Sequence, residues 1–505
     1  MSISLDRFDN DPYVALESRF RRLNALSDAA GVLSWDMSTV MPTGGAEART
    51  EQLAALEVVC HEQLKDPALA ELLDAAEAET VSLDAWQAAN LREMRRAWRR
   101  AIALDADLVE ALSRASKRCE MIWREARPAA DFAAVLPAFE ELLKLVREEA
   151  QALGIALGLD PYDALLDGYA PGTSAAQIDM VFEPLASFLP DFIDKVLTRQ
   201  AEGPPAEPLT GPFAVVRQEA LSRRLMQVLG FDFEHGRLDI SAHPFTGGVP
   251  DDVRITTRYD EADFMTAMMA TLHETGHALY ERGLPADWRA QPVGASGGMA
   301  LHESQSLIIE MQACRSAAFV AFAAPLMREA FGGEGPAWQA DNILRLITRV
   351  ERGFIRVDAD EVTYPTHIIL RTHLERAMIA GELAPADLPG AWNDGLEKLL
   401  GIRPENDRLG CLQDIHWYDG AYGYFPTYTL GAMTAAQLFA AAQEDTPEIP
   451  EAIGRGDFAP LLTWLRDKVH SQGALLEPEA LLIRATGKPL DPAIFQAHLQ
   501  RRYLD

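Results

Sequence analysis

The segment TLHETGHALYERG, Thr271 to Gly283, places two histidines four residues apart with a glutamate directly after the first. On a helix, positions i and i+4 share one face, with Cβ atoms about 5–6 Å apart. His273 and His277 then offer two imidazole nitrogens to one cation, at the roughly 2.0–2.1 Å that zinc takes from nitrogen. Glu274 projects beside that cation rather than onto it, where it would accept a proton from water activated there. The competing reading is a solvated helix with two incidental histidines. Against it, Met268, Met269, Leu272, Ala278 and Leu279 surround the pair, and buried imidazoles need partners.

A catalytic zinc usually takes three protein ligands and leaves one position to water. The third candidate is Glu303 in ALHESQSLIIE, which follows the turn GASGG and opens a second apolar segment. Two crossed helices would thus supply His, His and Glu. Alternatively, Glu303 is only a first-turn carboxylate favoured by the helix dipole.

These side chains need rigid elements. Asp260 is a suitable N-cap, and no proline interrupts the following segment until Pro285, beyond Gly283, so a long helix is predicted there. Roughly the first 200 residues carry apolar positions at spacings of three and four, as in LREMRRAWRRAIALDADLVEALSRASKRCEMIWREA. DFAAVLPAFEELLKLVREEAQALG continues the pattern, with Gly154 as its expected C-cap. Strand-like runs are few. GRLDISAHPF and DVRITTRYD, joined by the turn-rich TGGVP, are predicted to form a small hairpin before the HExxH helix. Helical periodicity returns after about residue 300. EGPPAEPLTGP (Glu202–Pro212) is the best linker candidate, but no composition shift flanks it. The expectation is one mainly α domain over residues 1–505, with two helical lobes around a cleft.

Bulk properties narrow the partners. Among 505 residues, 76 acidic against 46 basic side chains give a net charge of −30. Such a chain repels nucleic acid and anionic lipid, so neither is an expected partner. Four scattered cysteines without a CxxC pair make no disulfide framework. MSISLDRFDNDPY lacks a basic and an apolar region, so no secretory signal is read there. No apolar run reaches the roughly 18 residues of a membrane span. A cytoplasmic protein is expected.

The motifs, in order, are LSWDMSTVMPTGGAEARTEQ, HPF (His243–Phe245), DVRIT (Asp252–Thr256), HETGH (His273–His277), HESQ (His302–Gln305), IRVDAD (Ile355–Asp360) and GCLQDIHW (Gly410–Trp417). Together they resemble the carboxypeptidase Taq family of metallocarboxypeptidases over nearly the whole chain. The resemblance implies release of single residues from the free C-termini of peptides. It also implies a metal held by His273, His277 and Glu303, with Glu274 as catalytic base. The implied fold is mostly helical and neurolysin-like, with a long central groove, and usually a homodimer.

Peptide hydrolysis also needs oxyanion donors. QDIHWYDGAYGYFPTYTLG offers His416, Tyr424 and Tyr428, with Tyr424 preferred and Tyr422 kept open. The same aromatics would also serve as core with a satisfied polar tip. A free terminal carboxylate calls for an arginine fork. Arg356 is the first choice and Arg254 the second, unless they pair with Asp358, Asp360 or Asp252. His243 would orient the groove or stabilise its turn. Asp358, Asp360 and Glu361 are candidates to hydrogen-bond the metal histidines. Zinc is the expected ion, with cobalt or manganese compatible with the same donors. Two other functions stay open: an endo-oligopeptidase of the neurolysin type, and a helical binding protein whose metal is structural.

Overall fold

Ala-, Leu- and Glu-rich segments form long helices from Pro12–Ser38 to Pro492–Tyr503 in this computed structural model, which describes residues 11–78 and 83–505. Met1–Asn10, most of the stretch read for a secretory signal, lie outside those residues. Among the described residues, no single helix is long and apolar enough to cross a membrane.

The helices bury two large cores. One joins the helices between Ala106 and Glu202 to segments between Val350 and Met433, including Trp392, Trp417 and Phe425. The other collects Phe264, Met268, Leu272, Leu301, Ile308, Phe319 and Leu465. The helix Pro426–Asp445 serves both, giving Leu430 and Met433 to the first and Leu438 and Phe439 to the second. Of the expected linker Glu202–Pro212, Glu202 ends the helix Ala175–Glu202 and the remainder is an extended strap, tied down where Asn342 bonds both the Glu207 N–H and its carbonyl at 2.8 Å.

Two expected caps move. The helix Phe132–Leu157 runs through Gly154 and ends at Gly158, which adopts φ 73°. The HExxH helix, Phe264–Gly283, is capped by Asp263, whose carboxylate accepts from the Met265 and Thr266 N–H groups. Asp260 instead closes the preceding turn through the Ala262 N–H. Both aspartates are chemically able to cap; the Asp260–Asp263 bridge selects the second.

The sheet also departs from a simple hairpin. It has three strands, β1 (Gly236–Ile240), β2 (Phe245–Val249) and β3 (Asp252–Thr257), in the order β1-β3-β2. β3 runs parallel to β1 and antiparallel to β2. TGGV, expected as turn, is most of β2. It is an edge strand paired on one side only, where weak strand formers are tolerated. Val253 and Ile255 of β3 pack with Ala278 of the HExxH helix.

The second site helix, Met299–Leu307, continues as a π-helix over Ile308–Cys314. It lies directly against the HExxH helix. At Gly276 a Cβ would sit 2.6 Å from the Gln305 carbonyl oxygen and 2.6 Å from Ser306 Cα. Only glycine lets the two backbones come this close.

Candidate metal centre

Close approach at Gly276 brings His273, His277 and Glu303 together. One ligand atom from each lies within 4.8 Å of the others. Glu303 Oε2 is 3.7 Å from His273 Nε2 and 3.4 Å from His277 Nε2. Both distal nitrogens are taken: His273 Nδ1 contacts Glu310 Oε2 at 2.9 Å and His277 Nδ1 contacts His302 Nδ1 at 2.6 Å. The Nε2 atoms therefore remain for an ion. An N, N, O donor set with one carboxylate suits a divalent cation, so the residues fit the group.

Charge is arranged to match. Burial raises the Glu303 carboxyl, but His273 and His277 hold it down at about 2. Burial lowers His273, yet Glu303 and Glu310 outweigh it and push the ring up to about 10. His277 moves the other way, lowered by burial and by His302 and His273. Glu310 is held low, despite burial, by Arg315 at 2.8 Å and by His273.

Glu274 is buried next to the cluster, and its Oε2 accepts from Thr246 Oγ1 at 2.7 Å. Thr246 belongs to β2, so the sheet's edge strand reaches the site. Beyond Glu303, the Pro426–Asp445 helix touches that glutamate at Gly431, where a Cβ would lie 2.8 Å from Glu303 Cγ. Tyr428 stands on that helix one turn earlier, 3.5 Å from His416 Nε2. Burial keeps His416 down at about 4, so its ring is neutral at pH 7. Tyr424 packs 5.5 Å from His416, and burial with the nearby Glu303 charge raises its hydroxyl. Tyr422 instead stacks on Trp417 within the first core.

The arginines separate. Arg356 is buried, and its Nε and Nη2 donate to Asp414 at 3.0 and 2.8 Å, while Nη1 donates to Tyr364. Its partner is thus neither Asp358 nor Asp360. Arg371 also bonds Asp414, so two guanidinium groups share one carboxylate. Arg254 turns its fork onto Asp252 and lies over Trp35, as its structural reading anticipated. His243 is exposed, and the hydrogen bonds there use its carbonyl.

None of the three carboxylates considered for the metal histidines reaches them. Asp358 is exposed, Asp360 caps Val362 and Thr363, and Glu361 bonds His498 and Arg502. Glu310 and His302 occupy those places. Glu310 carried a weak signal, seven residues after Glu303 and hence on nearly the same helical face. Thr246 carried none, and Asp414 stood within GCLQDIHW with no role assigned to it. Glu375 was also missed: it is fully buried, accepts from Tyr162 OH at 2.6 Å and Trp417 Nε1 at 3.1 Å, and is raised by burial to about 7. It ties the His416 loop to the first core.

Fold and cluster together define the class: a mainly helical metallohydrolase of the HExxH type. The chain belongs to the carboxypeptidase Taq (M32) metallopeptidase family, whose sequence profile matches residues 15–503. It is 39% identical over 495 residues to thermostable carboxypeptidase 1 of Thermus thermophilus, covering 96% of this chain and 97% of that one. It is 35% identical over 486 residues to carboxypeptidase 1 of Bacillus subtilis, covering 96% of each. Among solved structures, metallocarboxypeptidase 1 of Trypanosoma cruzi superposes with a TM-score of 0.96 at 41% identity, over 98% of this chain and 99% of that one. These relatives are carboxypeptidases, so the neurolysin-type endopeptidase reading is not favoured.

Proposed function

We propose that the protein, a peptide hydrolase of this family, removes single residues from free peptide C-termini, with His273, His277 and Glu303 holding one divalent cation and Glu274 accepting the proton. The observation that carries this is the convergence of two Nε2 atoms and one carboxylate oxygen beside a buried glutamate. A cation held there would polarise a carbonyl and bring the pKa of water to about 7. Glu274, with Oε2 anchored on Thr246, keeps Oε1 for the proton that water releases and then delivers it to the departing amine. His416 and Tyr424 donate to the developing oxyanion as neutral groups, and Tyr428 orients His416.

Arg356 is the group assigned to the terminal carboxylate. Two arginines against one aspartate leave a buried positive charge uncompensated, which an incoming carboxylate would balance. Arg254, already matched by Asp252, ranks second, and His243 lines the approach. Zinc is the proposed ion, with Co2+ and Mn2+ compatible with the same donors. The same reading treats residues 1–505 as one peptidase domain with two helical lobes flanking a groove. It works as a cytoplasmic homodimer on short or unfolded peptides and uses neither nucleic acid nor membrane.

The test pairs metal analysis with Glu274→Gln on peptides bearing a free or an amidated C-terminus. The variant should keep its metal and lose at least about a hundredfold in kcat. Full activity in the variant overturns the role of Glu274, and equal cleavage of the amidated peptide overturns the exopeptidase assignment.

A further inference from the structure

Glu375 is fully buried on the helix Tyr364–Ala380, outside both the metal cluster and the arginine pair on Asp414. Its carboxylate gathers donors from two other segments. Tyr162 OH donates to Oε1 at 2.6 Å, Trp417 Nε1 donates to Oε2 at 3.1 Å, and the Gly423 N–H favours the same charged form. Tyr162 stands on the short helix Pro161–Leu166, whereas Trp417 directly follows His416 and Gly423 directly precedes Tyr424. One side chain thus reaches both ends of the segment that carries His416 and Tyr424. We propose that Glu375 is a positioning residue: it clamps the segment 416–424 against the helix Pro161–Leu166 and so sets where His416 and Tyr424 stand. The inference rests on the donor roles given to those two residues above.

The segment has little else to hold its shape. Only His416–Asp419 is regular, a single 3-10 turn, and the rest closes through a few backbone bonds such as the Ala421 N–H to the His416 carbonyl at 2.8 Å. Among the described residues, His416 Nδ1 has no hydrogen-bond partner, and the contact of Nε2 with Tyr428 OH is long at 3.5 Å. The ring is therefore placed by its backbone more than by its own polar contacts. At Gly423, with φ 83°, a Cβ would lie 2.7 Å from the Leu166 nitrogen, so the segment meets the short helix backbone to backbone. Next to it, Tyr424 packs edge-on to Tyr169 at 5.0 Å. An ionised carboxylate suits this junction because it only accepts and has two oxygens to share among its donors. Its removal would leave the Trp417 N–H buried without an acceptor, and a Trp417 that moves to find one carries His416 with it.

The experiment uses the full-length, metal-loaded enzyme at pH 8, where a carboxyl raised to about 7 is ionised. Glu375→Ala should keep its metal and its KM while kcat falls about ten- to a hundredfold. Glu375→Gln keeps the shape and one acceptor oxygen, and Tyr162 OH can accept from the amide, so most of the rate should return. In metal-free protein with 15N-labelled histidine, the His416 ring signals should shift in Glu375→Ala and return in Glu375→Gln. A folded Glu375→Ala with wild-type kcat overturns the proposal even if its Tm falls, and so does an unmoved His416 signal. Equal losses in the two variants would make charge rather than placement the cause and overturn it too. Should Glu375→Ala not fold, Tyr162→Phe removes one oxygen from the same clamp and should lower kcat by about three- to tenfold, and wild-type kcat there is equally fatal. His416→Ala combined with Tyr424→Phe separates the two ideas. In that background Glu375→Ala should cost little more, and additive losses overturn the clamp alone. Wild-type kcat in the background itself refutes the donor roles, and this inference with them.

Discussion

His273 sits between two carboxylates, Glu303 and Glu310, which push its ring up to about 10 despite burial. At neutral pH the metal-free protein therefore carries a proton on the ring proposed to hold the cation. Metal uptake at pH 8 should release about one proton. Calorimetric titration in two buffers of different ionisation enthalpy checks this, and equal heats would show His273 already neutral. The stability signs follow from the same pair. His273, raised from 6.5, stabilises the metal-free fold fully below that value and loses the contribution as pH rises through about 10. Glu303, lowered from 4.5, contributes above that value and loses it as pH falls toward about 2. The approach of His273, Glu274 and His277 to one another was legible because helical spacing alone puts them on adjoining faces. Their hydrogen-bond partners were not. Asp358 and Asp360 lie within IRVDAD and Glu361 directly follows it, but the contacts of Glu310 and His302 depend on how two helices cross, which spacing within one segment does not encode.

At the scale of elements, the site is a consequence of two helices meeting at Gly276. Gly276→Ala would place a methyl carbon 2.6 Å from the backbone of Gln305 and Ser306. Backbone cannot swing aside as a flexible side chain does, so the helices must part. A loss of about 1–3 kcal/mol of stability is expected, with Glu303 drawn away from both imidazoles. Chemical denaturation and Zn2+ titration on one preparation check both effects, and wild-type values in each would show the crossing to be slack. The helical character of the chain was legible from periodicity. The strand β2 was not, because Thr246–Val249 reads as turn and becomes strand only through pairing with β3 (Phe245 with Thr256, Val249 with Asp252). That strand brings Thr246 to Glu274, so a weak local signal concealed a contact at the centre of the site. The cap at Asp263 was hidden for a related reason: Asp260 is an equally good cap locally, and the turn decides between them.

At the scale of the molecule, a net charge of −30 surrounds a site proposed to receive a carboxylate. The two fields have different ranges. Exposed charges act through solvent and are screened over about 10 Å at 0.1 M salt, whereas Arg356 and Arg371 are buried, Asp414 is mostly covered, and all three are screened far less. The excess acid should therefore slow the approach of anionic peptides at low salt, while the arginines still bind the terminus once it arrives. Raising salt from about 10 mM to 0.5 M should lower KM for an acidic peptide by a few fold and raise it for a basic peptide. With both peptides kcat should change little, because the groups around Glu274 and His416 are buried. Two peptides identical at their C-terminal residues and differing only in upstream charge isolate the effect. If their KM values respond alike to salt, the acidic surface plays no part in delivery. Capture would then rest on the few buried charges around Asp414 alone.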